Sequence, residues 1–371
     1  MARQLDPATA TLTRALLERT TEAAPELCER LADRRVRCLA CGHRCLILEG
    51  LDGICRVRTN RAGRLRVPRG YVAGLQVDPV EKKPFFHVLP GSSALSFGML
   101  GCDFHCGYCQ NWLTSQALRD RAARGQHHEV GADELVAAAR SARAPVLVST
   151  YNEPLITSEW AVEVFAHARR QGIVCGYVSN GNATPEVLNF LRPHVDLYKV
   201  DLKSFRDAAY RQLGGKLHNV LETIGRLREL GFWVEIVTLL VPGFNDSPAE
   251  LGEIAAFLAA LSPDIPWHVT AFHQDYKMTD PRDTTAADLV RAAEIGAAAG
   301  LRYVYAGNRP GQVGSWEDTR CPHCAATLVA RRGFRVLSDR LRGIGRCFRC
   351  QTAIPGWWSV PPAEPSERPV A

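Results

Sequence analysis

Eleven of the thirteen cysteines in this 371-residue chain fall into three tight groups: Cys38, Cys41, Cys45 and Cys55; Cys102, Cys106 and Cys109; and Cys321, Cys324, Cys347 and Cys350. Disulfide scaffolds are short, secreted and evenly laced, and an odd total does not suit them, whereas thiols clustered in a large intracellular chain bind metal. The middle group, Gly101-Cys102-Asp103-Phe104-His105-Cys106-Gly107-Tyr108-Cys109, has the spacing C-x3-C-x2-C with an aromatic before its last cysteine. One short loop of that spacing can wrap three corners of a four-iron cubane, a [4Fe-4S] cluster, and three thiolates leave one iron open to an outside chelator. The competing reading is a three-ligand zinc site or a chance cluster.

Cys321-Pro322-His323-Cys324 and Cys347-Phe348-Arg349-Cys350, with a hairpin expected around Gly333 between them, have the form of two zinc-ribbon knuckles. His323 sits on a knuckle surface, and such a module needs its metal to fold, so its first role is structural. Cys38-x2-Cys41-x3-Cys45-x9-Cys55 suits zinc or an auxiliary iron–sulfur cluster, with zinc the first reading and His43 a bystander. Cys28 and Cys175 stand apart as plain apolar residues.

These groups are set in a regular pattern. Apolar strand-like runs occur at Ala94–Gly101, Pro145–Tyr151, Val174–Asn180, Val195–Leu202, Trp233–Val241, Trp267–Phe272 and Arg302–Ala306. Amphipathic helical stretches lie between most of them, at Glu159–Gln171, Pro185–Arg192, Asn219–Leu230, Pro248–Leu261 and Ala286–Ala299. The alternation predicts an α/β fold, about six right-handed βαβ units forming a partial (β/α)6 barrel with chemistry at the C-terminal ends of its strands. The three-cysteine loop closes the first run, so it lies on that face. A helical stretch is expected over Ala10–Ala32. The composition, 46% hydrophobic and 23% charged, excludes disordered and fibrous classes. No apolar run reaches membrane-spanning length, and the N-terminus mixes Arg with Asp6, Glu18, Glu22 and Glu26, so a cytoplasmic location is expected. The net charge of +6 is spread along the chain without a basic block.

The three-cysteine loop resembles the cluster loop of the radical S-adenosylmethionine (SAM) superfamily. The resemblance implies that SAM binds the open iron through its amino and carboxylate groups, is cleaved by one electron, and yields a 5′-deoxyadenosyl radical that abstracts hydrogen. Later run ends are similar to the SAM-holding segments of the glycyl-radical-enzyme activase branch, which includes the pyruvate formate-lyase activating enzymes. Thr150-Tyr151-Asn152-Glu153-Pro154 stands where activases carry a Gly-Gly-Glu-Pro type motif for the SAM ammonium; Glu153 matches, and Tyr151 and Asn152 replace the glycines. Ser179-Asn180-Gly181 and Asp201-Leu202-Lys203 are similar to segments near the methionine and ribose, with Lys203 implied as partner of the SAM carboxylate. Val241-Pro242-Gly243-Phe244-Asn245-Asp246 and His273 resemble segments flanking the ribose and adenine. The implied cofactor-binding set is therefore Asn152, Glu153, Ser179, Asn180, Asp201, Lys203, Pro242 and His273.

Asp78-Pro79-Val80-Glu81-Lys82-Lys83-Pro84-Phe85-Phe86-His87, Cys109-Gln110-Asn111-Trp112 and Tyr303-Val304-Tyr305-Ala306-Gly307-Asn308-Arg309-Pro310-Gly311 extend the resemblance. From about Cys38 to Trp358 the chain is similar to the radical SAM member of the AmmeMemoRadiSam system. That implies an AMMECR-type domain protein and a Memo-like protein as partners, with a one-electron donor of flavodoxin or ferredoxin type. The expected organisation is an N-terminal helical segment over 1–37, a four-cysteine metal-binding region over 38–70, a connector over 71–93, the radical SAM partial barrel over 94–310, a zinc-ribbon-like module over 311–360 and a flexible tail over 361–371. Three alternatives stay open: a glycyl-radical-enzyme activase, an RNA-modifying radical SAM enzyme, and a metal-ribbon RNA-binding protein. The last two need a basic face with aromatics, for which Arg331, Arg332, Arg335, Arg340, Arg342, Arg346, Arg349, Trp357 and Trp358 are candidates.

Overall fold

Each of the seven apolar runs becomes a strand of one sheet in the computed structural model, which describes Leu12, residues 15–123 and residues 125–360. The sheet has eight strands: β1 (Gly74–Pro79), β2 (Ser93–Gly98), β3 (Val146–Ser149), β4 (Val174–Ser179), β5 (Leu197–Asp201), β6 (Trp233–Leu240), β7 (Trp267–Ala271) and β8 (Val304–Gly307). They lie in chain order across the sheet, β2 to β8 parallel and β1 antiparallel to β2. Among the described residues, β1 and β8 end the sheet without pairing to each other.

The crossover helices start where local chemistry dictates. Thr184 accepts from Val187 N ahead of Pro185–Leu191, Ser247 accepts from Glu250 N ahead of Pro248–Leu261, and Thr285 with Asp288 forms a capping box ahead of Ala286–Ala298. Ser158–Arg169 and Leu217–Glu229 complete the expected set. Three α-helices lie outside the expected set: Trp112–Ser115, a single turn, Ala132–Ser141, and Asp207–Leu213, only two turns long. Among the described residues no helix is long and apolar enough to cross a membrane.

Strand alternation divides the side chains between two faces. Leu147, Cys175, Tyr177, Tyr198 and Ile236 pack outward with Val164, Phe165, Leu188 and Ile224 of the helices. Val146, Val148, Val174 and Leu197 point the other way, onto Val80, Phe85, Val88 and Leu89. The connector is thus partly structural: it supplies strand β1 and then runs across the sheet's inner face. Glu235 of β6 captures it there, accepting from the backbone N–H of Phe86 and of His87, each at 3.0 Å, and from Trp233 Nε1.

The C-terminal module packs on the same inner side. Its three-stranded antiparallel sheet (Thr319–Arg320, Thr327–Arg332, Arg335–Asp339) turns at Gly333 as expected. Its Leu328, Val329 and Trp358 bury against Phe86, Tyr303 and Tyr305. Arg331 pairs with Glu81, both side chains 0% exposed, and donates to Phe86 O at 2.7 Å and Thr319 Oγ1 at 2.8 Å. With Arg331 and Trp358 inside, the expected basic aromatic face loses two of its members.

The N-terminal expectation needs correction. Described residues are helical at 12 and 15–18, but Thr20–Glu22 is a strand, Pro25–Leu27 a single 3-10 turn and Cys28–Arg30 another strand. The β-branched Thr20-Thr21 pair and Pro25, which cannot sit inside a helix, end the helical stretch early. Residues 1–11 and the expected tail 361–371 lie outside the described residues. Two small antiparallel sheets build the region: Thr20–Glu22 with Arg64–Pro68 and Thr59–Arg61, and Cys28–Arg30 with Val36–Cys38 and Leu46–Ile47.

Candidate metal and cofactor site

The three-cysteine loop leaves β2 and is held from several sides. Gly101 N donates to Thr114 O at 3.1 Å and His105 N to Leu213 O at 2.9 Å, while Arg119 Nη1 and Gln116 Nε2 donate to Phe104 O. Gly214 and Gly215 make room for it: a Cβ on Gly215 would stand 2.2 Å from the Phe104 ring, and one on Gly214 2.5 Å from His105. Phe104 N donates to Cys102 Sγ at 3.4 Å, and Cys109 Sγ lies 3.2 Å from Ser115 Oγ.

Beside this loop is a cavity of about 430 Å³, within the size of small-molecule sites. Cys102, Cys106 and Cys109 line it together with Asn152, Glu153, Ser179, Asn180, Asp201 and Lys203, the ends of three successive strands. The structure does not bring Pro242 and His273 to it. β7 ends at Ala271, so its inward residue is Thr270, and His273 is exposed with Nδ1 3.2 Å from Gln274 O.

Glu153 is buried and heavily bonded. Its Oε1 accepts from Ser179 Oγ at 2.7 Å and Leu155 N at 3.1 Å, and its Oε2 from Asn180 N at 2.7 Å. Burial, then the nearby Asp103 carboxylate, push its pKa up to about 8 against these three donors. Asn152 fixes the turn itself, accepting from Met99 N at 3.0 Å. Tyr151 has φ +70°, the left-handed conformation that favours glycine, whereas Asn152 beside it does not adopt it. Its hydroxyl lies 2.8 Å from Ser96 Oγ and accepts from Lys83 Nζ at 3.1 Å.

On β5, Lys199 and Asp201 point inward two residues apart and pair, and Lys203 reaches Asp201 Oδ2 at 3.4 Å. Despite burial, which opposes it, the neighbouring Asp201 and Cys106 hold the Lys203 pKa well above its usual value, so it stays cationic. Sequence reasoning missed Lys199, although alternation with Asp201 signals it, and Lys82, Lys83 and Phe334, which line the cavity from the connector and the C-terminal hairpin. It also missed Asp103. That carboxylate is buried, accepting from Asn180 Nδ2 at 2.7 Å and Asn182 Nδ2 at 2.8 Å.

Outside the cavity's lining, Cys321, Cys324, Cys347 and Cys350 bring their sulfurs within 4.8 Å of one another, with contacts of 3.5 Å and 3.6 Å. Cys38, Cys41 and Cys55 are buried and Cys45 half-buried, with Cys28 opposite Cys38 on the paired strand. Cys175 is a core residue.

Comparison with known proteins gives this arrangement its family. The radical SAM superfamily profile matches residues 98–258. The Methanocaldococcus jannaschii uncharacterized protein MJ0808 is 37% identical over 310 residues, covering 83% of this chain and 91% of that one. The Staphylococcus aureus pyruvate formate-lyase-activating enzyme is 25% identical over 190 residues, 47% of this chain and 72% of that enzyme. Among solved structures, a domain of a pyruvate-formate lyase-activating enzyme from Bacteroides vulgatus superposes with a TM-score of 0.39 at 21% identity, over 43% of this chain and 98% of that one. The chain therefore belongs to the family of MJ0808 and, through the domain that carries the three-cysteine loop, to the radical SAM superfamily of SAM-dependent radical enzymes.

Proposed function

We propose that this chain is the radical SAM enzyme of an AmmeMemoRadiSam-type system, cleaving SAM reductively and abstracting hydrogen from a substrate at the same cavity. The observation that carries the reading is the convergence of three thiols with Glu153, Ser179, Asn180, Asp201 and Lys203 at the C-terminal ends of parallel strands. The donor set fits the cofactor: three thiols on one loop, a carboxyl with an acceptor site to spare, and a cationic lysine. Cys102, Cys106 and Cys109 would hold a [4Fe-4S] cluster, which would supply the single electron for reductive cleavage of SAM. The chain's own work is to hold SAM by its charged ends and keep water out. Glu153 Oε2, which takes one N–H from Asn180, has a lone pair left for the ammonium. Lys203, steadied by Asp201, draws the carboxylate. Phe104, Tyr108, Val178, Val237 and Leu239 wall the cavity with apolar surface, which shields a reactive intermediate from solvent.

The sulfur contacts in the C-terminal module suit one tetrahedral zinc, since about 2.3 Å per sulfur gives edges of about 3.8 Å. The reading includes the AMMECR-type and Memo-like proteins as partners and a flavodoxin- or ferredoxin-type donor. It is tested by anaerobic reconstitution and EPR of the reduced protein with and without SAM. A cluster signal perturbed by SAM, with 5′-deoxyadenosine formed, is the expected result. Wild-type 5′-deoxyadenosine formation by Cys106→Ala would sink the assignment.

One observation favours a second reading, a glycyl-radical-enzyme activase: the 25% identity to the Staphylococcus aureus activating enzyme spans 47% of this chain. A glycyl EPR doublet raised on an added glycyl radical enzyme would select it.

A further inference from the structure

One concentration of thiols stands outside the proposed reaction. A Cβ on Gly53, two residues before Cys55, would stand 3.7 Å from Cys45 Sγ, so the first and last parts of the group come together in space. The backbone there is tied: Cys38 N donates to Cys45 O at 2.9 Å and Arg44 N to Cys41 O at 3.0 Å, and Ile54 N donates to Cys45 Sγ at 3.5 Å. Yet among the described residues the C-terminal four are the only group of three or more Cys, His, Asp or Glu whose ligand atoms lie mutually within 4.8 Å. A single zinc requires sulfur–sulfur edges of about 3.8 Å. Four thiols gathered but held wider than that suit a larger metal core, and with thiolate ligands only, that core is an iron–sulfur cluster. The three sulfurs of the cluster loop likewise do not all lie within 4.8 Å of one another.

The position of the group says what such a cluster is for. Arg58, three residues past Cys55, makes a buried two-pronged bond to Glu159, both contacts 2.7 Å, and donates to Ile156 O at 3.2 Å, clamping the region to the chain that follows Glu153. Gly42 N donates to Asn182 O at 2.8 Å, next to the end of β4. A Cβ on Gly101 would stand 3.0 Å from Cys55 O, so the backbones of the two cysteine groups touch. His43 Nε2 lies 3.9 Å from Asp103 Oδ2, and Asp103 adjoins Cys102 in the chain. The four-cysteine group therefore sits at the reactive face of the sheet, one layer of side chains from the three-cysteine loop, with its Cys45 edge toward exposed Leu46, Leu48 and Ile54. An electron relay requires a place beside the cluster loop, and this group occupies one.

We propose that Cys38, Cys41, Cys45 and Cys55 ligate a second iron–sulfur cluster that relays electrons to the three-cysteine site. Its relay role rests on the radical SAM reading above. Each turnover takes one electron from a low-potential one-electron carrier; the second cluster is reduced by one, passes that electron inward and returns to its starting state. SAM is the acceptor, and its carbon–sulfur bond is the one that breaks.

The test uses the full chain, reconstituted anaerobically with iron and sulfide. The Cys102→Ala/Cys106→Ala/Cys109→Ala variant should keep about four irons and four sulfides against about eight of each in the wild type, and show on reduction an EPR signal indifferent to SAM. Cys41→Ser/Cys55→Ser should lose that signal and keep the SAM-perturbed one. Mössbauer spectra of the wild type, which need no variant to fold, should resolve two clusters, one with four equivalent thiolate-bound irons. A triple variant that folds with zinc and no iron at the N-terminal group, or a wild type with one cluster only, overturns the proposal. If that single cluster responds to SAM, the radical SAM reading stands without the relay; if neither variant nor wild type shows a SAM-responsive signal, that reading falls instead.

Discussion

Glu153 is caught between two requirements. Its three hydrogen bonds order the ends of β3 and β4, while burial and Asp103 favour its neutral form. An acid whose folded pKa lies above its unfolded value adds most to stability below the unfolded value, and that contribution is lost as pH rises through the folded one, here about 8. A bound ammonium reverses the preference, so SAM binding should expel a proton. Affinity for SAM should then rise roughly tenfold per pH unit up to about 8 and level off above it. Calorimetric titration from pH 6.5 to 9 checks this, and Glu153→Gln should bind weakly with no slope; a slope that survives in the Gln variant would assign the titration elsewhere. Tyr151 carries a related cost. A bulky side chain at φ +70° stores on the order of 1 kcal/mol or more, held by packing against Gly74 and Gly98 and by bonds to Ser96 and Lys83. Tyr151→Phe keeps the packing and loses the bonds, so it should lower unfolding free energy by about 1–2 kcal/mol in urea titration. A larger loss than that would mean the hydroxyl, not the ring, holds the turn.

The connector and the C-terminal module act as one element, because each buries what the other leaves unpaired. Glu81 is pushed above the ordinary carboxylate range by burial, with Arg331 pulling the other way. Removing the cation leaves a buried acid alone, so Arg331→Ala should cost about 3–5 kcal/mol near pH 8. The cost should shrink toward pH 5, where Glu81 can protonate, and Glu81→Gln added to Arg331→Ala should restore part of the loss. Thermal unfolding at both pH values measures it, and equal losses at the two would remove the ion pair from the explanation. This element also marks where the sequence stops being legible. The parallel strands of β2 to β8 could be read because buried strands are apolar runs, while Glu153, Asn180, Asp201 and Lys203 are named through resemblance to activase segments and meet in the structure because strand ends converge. Strand β1 could not be read: Gly-Leu-Gln-Val-Asp-Pro is mostly exposed and exists as a strand through its pairing with β2. Lys82, Lys83 and Phe334 reach the cavity only through tertiary packing. His273 failed to reach it because two residues past the end of a strand no longer share its alternation.

At the scale of the whole molecule, the inner face of the sheet is filled from one end. Val80, Phe85, Val88 and Leu89 cover β3 to β5, and the C-terminal module covers β8, tied to the connector by Leu89 N donating to Trp357 O at 2.8 Å. What stays open is the cavity at the strands' C-terminal ends, where Lys82 and Phe334 stand with Gln110 and Asn111. Its walls come from the connector, the sheet, the cluster loop and the C-terminal hairpin, so a substrate that enters meets all four. If the AMMECR-type and Memo-like proteins are the partners, the three proteins purified together under anaerobic conditions should associate, or SAM cleavage should become coupled to a change in one of them or in its ligand. Phe334→Asp, which puts a charge on the hairpin tip, should then raise the partner concentration needed for half-maximal coupling by roughly tenfold, about 1.4 kcal/mol of contact. Mass spectrometry of the partners and 5′-deoxyadenosine counts per turnover read both effects. Turnover that stays uncoupled with both partners present, yet rises on adding a glycyl radical enzyme that then shows its EPR doublet, would give the cavity to a glycine-bearing loop instead.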